Sequence, residues 1–129
     1  MDSRIKIYSM KDFIRKNASG EIDSERSIQL VRELSVAANF HADHNILIDL
    51  RETTIPTDRV MIDDLMKIVM EFVQFAPSFK NKIANLIPND ADRVSIAKQF
   101  EACMTIKNVP YKFFTEFEHA VEWLSEEIA

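Results

Sequence analysis

Asp49, Arg51 and Glu52 follow directly on the apolar run Asn45-Ile46-Leu47-Ile48, so two acids and a guanidinium emerge at its end. In α/β sheets the carboxyl ends of buried strands are where ligands bind. The trio has no nucleophile paired with a base, so no reaction class follows from it. Asp49 instead reads as capping amides of its own loop, with Arg51 paired to Glu52 or another nearby acid. His41, Asp43 and His44 have the side chains of zinc ligands, but they share one short polar turn and read as solvated, so no metal site is expected. Cys103, between Ala102 and Met104, reads as a small core hydrophobe, and His119, beside Glu118 and Glu122, as exposed. Asn85 places an amide inside Ile83-Ala84-Asn85-Leu86-Ile87. A buried amide needs hydrogen-bond partners, so Asn85 belongs near the sheet's rim or facing a polar pocket.

Several chemistries are excluded by what the chain lacks. Gly20 is its 1 glycine, so neither the dinucleotide fingerprint nor the P-loop, which need several, is present. The net charge is −5 and the bases are scattered, which argues against the basic stripe that nucleic-acid binding requires. No apolar run approaches the roughly 20 residues of a membrane-spanning helix, and Met1 to Lys6 show no apolar signal region. With a single cysteine as well, the expected compartment is the cytoplasm. No cofactor is expected.

The elements that must position these residues follow from periodicity. Arg4-Ile5-Lys6-Ile7-Tyr8 alternates and predicts a short strand. Phe13 to Ser19 predicts a second strand returning from a turn at Met10-Lys11-Asp12, with Gly20 bending its end. Asp23 or Ser24 caps a helix reaching Phe40. Asn45 to Leu50 is apolar on both faces, as a central strand is. Arg51 to Pro56 reads as a loop. A helix capped by Thr57 or Asp58 then runs to Phe75, where Ala76-Pro77 stops it. Ile83 to Ile87 is a strand, Asn89 or Asp90 caps a helix reaching Met104, Tyr111 to Phe114 is the last strand, and a final helix starts near Glu116. The expected fold is α/β: one domain over residues 1–129, with a mixed five-stranded sheet flanked by four helices. Its N-terminal hairpin is antiparallel and the remainder parallel.

The helix from Asp58 to Phe75 is apolar over an arc of roughly 180°, where a surface helix needs somewhat over about 100°. Ile62, Met66, Met70 and Val73 form the surplus stripe. Methionine suits interfaces because its flexible side chain repacks against varied shapes. The stripe is therefore either covered by neighbouring elements or a surface for a second copy, a partner protein or a ligand.

Ser19-Gly20-Glu21-Ile22 leading into a helix, Ile46-Leu47-Ile48-Asp49-Leu50-Arg51, Lys82-Ile83-Ala84-Asn85-Leu86-Ile87-Pro88, and Phe113 to Leu124 with its Phe-Thr-x-x-x-x-Ala-x-x-Trp-Leu pattern occur in this order. Together the segments resemble the SpoIIAA-like group, which joins STAS domains to small CRAL-TRIO-like proteins. The resemblance covers nearly the whole chain and implies a mixed sheet flanked by helices. STAS anti-anti-sigma factors carry an Asp-Ser-(Ser/Thr)-Gly loop whose serine a partner kinase phosphorylates. The matching stretch here is Asp49-Leu50-Arg51-Glu52-Thr53-Thr54, which has no serine or glycine and implies Thr53 or Thr54 as the acceptor. The leading expectation is a non-enzymatic interaction or regulatory module, self-associating through the methionine-bearing stripe. The alternative, from the CRAL-TRIO side of the resemblance, is a carrier or sensor of a small apolar, lipid-like ligand, with Met61, Leu65, Phe72 and Phe75 lining its cavity.

Overall fold

Ile46, Leu47 and Ile48 are apolar in succession and all three are buried, which requires covered surfaces on both sides of the strand that holds them. That strand lies inside a computed structural model describing residues 5, 12–56, 62–75, 79 and 81–126. The elements are β1 (Phe13–Glu21), α1 (Ser24–Phe40), β2 (Asn45–Thr54), α2 (Ile62–Gln74), β3 (Ile83–Leu86), α3 (Ala91–Ile106), β4 (Tyr111–Phe114) and α4 (Phe117–Ser125). The strands lie in the order β1-β2-β3-β4, and every pairing is parallel.

This order dictates the layers. Each crossover steps one strand in the same direction, and right-handed crossovers then send every connecting helix to the same face. The core agrees: Val31 and Leu34 of α1, Val69 and Phe72 of α2, and Phe100 and Met104 of α3 pack with Ile46, Ile48, Ile83 and Tyr111 in one cluster. Helix α4 follows the last strand and closes the opposite face, with Ala120 and Leu124 on Leu47, Ala84 and Leu86. A lysine holds α4 down at its carboxyl end. Lys82 Nζ donates to the carbonyls of Trp123 at 2.7 Å and Glu126 at 2.6 Å, complementing the negative end of the helix dipole. Asn45 assists, donating from Nδ2 to the Leu124 carbonyl at 3.2 Å. At the other end of the fold, the Asp23 carboxylate accepts from Arg26 N at 2.8 Å and caps α1, as its residue type predicts.

Two expectations about the sheet need correction. The described residues form four strands, all parallel, rather than a five-stranded sheet with an antiparallel hairpin. Of the first expected strand, Arg4 to Tyr8, all but Ile5 lies outside the described residues. Phe13 to Ser19 does form a strand, but it pairs with β2 in parallel, Phe13 opposite Asn45 and Ile14 opposite Ile46. Alternation with period two is the same in either pairing direction, so the residues themselves do not report it. The expected loop at Arg51 to Pro56 is also shorter than read. β2 runs on to Thr54 because β1 continues beside it, with Ser19, Gly20 and Glu21 opposite Glu52, Thr53 and Thr54.

Candidate functional site

Along β1 and β2 the register jumps: Asn17 faces Asp49, but Ser19 faces Glu52. One extra residue is thus accommodated in β2, a bulge, and it inverts the alternation of side chains beyond it. Without the bulge, Thr53 would share the face of Leu47 and Asp49. With it, Thr53 turns to the three-helix side and meets α3, where Arg93 Nη1 donates to its carbonyl at 2.8 Å and Nη2 to its hydroxyl at 2.9 Å.

Between the sheet and the three helices, where β2 and β3 end and α1 and α3 begin, lies a cavity of about 270 Å³. Leu30 and Val31 of α1, Leu65, Ile68 and Phe72 of α2, and Phe100 of α3 supply its apolar walls. Asn85, Tyr111, Arg93, Asp23, Asp64, Ser24 and Ser27 break that surface. Asn85 Nδ2 donates to the Tyr111 hydroxyl at 2.6 Å, and its Oδ1 is sealed from solvent without a hydrogen-bond partner among the described residues. Burial pushes the Tyr111 hydroxyl's pKa up, against a smaller opposing effect of the Asn85 hydrogen bond. Arg93 is 8% exposed. Burial lowers its pKa from the ordinary arginine value, and the charge of Asp90 acts in the opposite sense. Among the described residues no carboxylate stands within ion-pair distance of the Arg93 guanidinium.

The opposite face of the sheet carries a second polar group. Asp49 accepts from Arg51 Nε at 3.0 Å, Arg51 Nη2 at 2.7 Å, the Arg51 amide at 3.1 Å and Arg15 Nη2 at 3.3 Å. The Arg51 side-chain bonds, chiefly, hold the Asp49 carboxyl below its usual value. Both guanidinium groups stand by the Phe117 ring, at 5.4 Å for Arg15 and 6.0 Å for Arg51. The carboxylate is fully engaged in holding two arginines and the local backbone, a structural role.

Of the residues expected to line an apolar cavity, Leu65 and Phe72 do so. Phe75 is half-buried and packs against the same core, while Met61 lies outside the described residues. Along the surplus stripe, Met66 is half-buried, Val73 packs against the core, and Met70 is 48% exposed; Ile62 opens α2. Of the two loop threonines, Thr53 is buried with its hydroxyl donating to the Leu50 carbonyl at 2.6 Å, and Thr54 is exposed. His44 Nδ1 lies 2.9 Å from Asp43 Oδ1, and the rings of His41 and His44 are 4.9 Å apart.

Arg93 and Tyr111 are the site residues that the sequence reading missed. A signal for the arginine exists: Arg93, Ala97, Phe100 and Met104 recur with helical spacing and are the buried residues of α3. A cation in phase with an apolar stripe marks a buried charge, and buried charges without a partner are rare. No family model, curated protein or solved structure matches the chain. The site is therefore read from its own geometry. Its walls are largely apolar, its polar side chains include one arginine and two aspartates, and it sits at the carboxyl ends of parallel strands.

Proposed function

We propose that this chain binds a small, largely apolar molecule in the cavity between the sheet and α1, α2 and α3, as a carrier or sensor and not as an enzyme. One observation carries the reading: a largely apolar cavity of about 270 Å³ with the Arg93 guanidinium and the Asn85–Tyr111 pair among its lining residues. Ligand sites in α/β proteins cluster beyond the carboxyl ends of the strands, and they combine apolar walls with a few placed polar groups. Binding without turnover fits the polar groups present. Burial pushes the Tyr111 hydroxyl away from neutral pH, and arginine side chains do not give up their proton in proteins, so neither serves as a proton shuttle. The likeness to the SpoIIAA-like group is compatible with this reading, since that group includes CRAL-TRIO-like proteins. The interaction-module reading keeps its own support in the exposed Met70 on α2.

The test is an NMR titration with 1-octanol. Saturable shifts at Leu30, Leu65, Ile68 and Phe100, abolished by Ile68→Trp in a folded protein, support the reading. Shifts that do not saturate, or that survive the filled cavity, overturn it.

A further inference from the structure

Resting on that reading of the cavity, we infer that the ligand is an acid: a small monocarboxylate with about ten or eleven non-hydrogen atoms in all, whose carboxylate is held by Arg93. The head group follows from the arginine. Arginine has five N–H donors in a planar fork, and two of them are spent on Thr53. The rest have no acceptor among the described residues, and the group's charge has no contacting counter-ion there. A neutral carbonyl would satisfy a donor and leave the charge without a contacting counter-ion, since Asp90 acts only from beyond ion-pair distance. A carboxylate satisfies both, and its two oxygens match the guanidinium fork. The fold adds to this preference. Helices that cross back over a parallel sheet start at the carboxyl ends of the strands, so α1 and α3 direct the positive ends of their dipoles toward this end of the cavity. Two acids also line it. Asp23 is committed to the cap of α1, and Asp64 stands in the first turn of α2. Like Arg93, both stand at helix starts, so their repulsion offsets part of the dipoles' pull and the attraction for a carboxylate rests on the Arg93 guanidinium.

The size follows from volume. A cavity of about 150 Å³ takes up benzene, with six heavy atoms. A cavity of about 270 Å³ scales to an eight-carbon acid.

The experiment compares octanoate with 1-octanol at pH 7 by calorimetry on the intact chain, alongside Arg93→Gln and Arg93→Lys. The expected result is octanoate binding about tenfold or more tighter than octanol, the worth of charged hydrogen bonds. Arg93→Gln should erase that ratio while keeping octanol binding, and Arg93→Lys should retain part of it. Across hexanoate, octanoate, dodecanoate and hexadecanoate, affinity should rise by about fourfold per methylene up to roughly eight carbons and then level off. Octanol binding as tightly as octanoate overturns the acid and leaves the cavity reading standing. Neither probe binding overturns the cavity reading itself. Should Arg93→Gln fail to fold, the wild-type comparison and Arg93→Lys still decide the outcome.

Discussion

Arg93 Nη2 donates to Thr53 Oγ1 at 2.9 Å while the same hydroxyl donates to the Leu50 carbonyl at 2.6 Å, so one threonine joins the cation of α3 to the bulged segment of β2. Thr53→Val keeps the shape and removes both side-chain bonds. The expected cost is about 1–3 kcal/mol, because an arginine donor and a buried carbonyl lose a partner together. Urea denaturation measures it, and a change below about 0.5 kcal/mol would show the link to be idle.

Asn85 and Tyr111 form a buried pair with no other hydrogen-bond partner for either side chain among the described residues. Removing one member strands the other, whereas removing both leaves an apolar wall. Asn85→Leu is therefore expected to destabilise by about 1–3 kcal/mol, and adding Tyr111→Phe to recover most of that. A double-mutant cycle from thermal melts reads the coupling; strictly additive effects would contradict the pairing.

Acid stability should depend on Asp49. Its folded-state pKa lies below the unfolded value of about 3.9, mainly through Arg51. The carboxylate's contribution is then fully present above the unfolded value and lost as pH falls through the folded one. Asp49→Asn should be less stable than wild type at pH 7, and the gap should narrow as pH falls below the unfolded value and through the folded one. Urea melts across that range test this, and a gap independent of pH would refute it.

Lys82→Met removes two bonds that fasten α4. Hydrogen exchange should quicken in α4, with β1 and α1 little changed, and the global cost should be about 1–3 kcal/mol. Uniformly faster exchange would mean that α4 is not a separable unit.

Met70→Glu tests the surface of α2. Because Met70 is 48% exposed, the substitution should cost less than about 0.5 kcal/mol. Light scattering on both proteins then addresses self-association. A dimer that dissociates on substitution supports an interface there, and a wild-type monomer at all concentrations removes it.

The parts of the molecule legible in the residues are those where one force dominates. Ile46-Leu47-Ile48 could only be a strand covered on both faces, Asp23 had the residue type for a cap, and Leu65 and Phe72 fell on the inner arc of their helix. Asn85 stood out because an amide in an apolar run must be answered by something. The direction of β1 was not legible, since alternation does not distinguish parallel from antiparallel pairing. Nor was the reach of β2, because Arg51-Glu52-Thr53-Thr54 is polar enough to read as a loop and is held in the sheet by its neighbour. Arg93 was obscured for a related reason. A charge in a helix's first turns ordinarily faces water, and only its phase with Ala97, Phe100 and Met104 shows otherwise.

The bulge in β2 also divides the strand into two halves with different structural duties. Residues before it build the two cores, and Thr53 beyond it holds Arg93 at the cavity. Substitutions in the distal half can therefore change how Arg93 is held without disturbing the proximal residues that preserve the architecture.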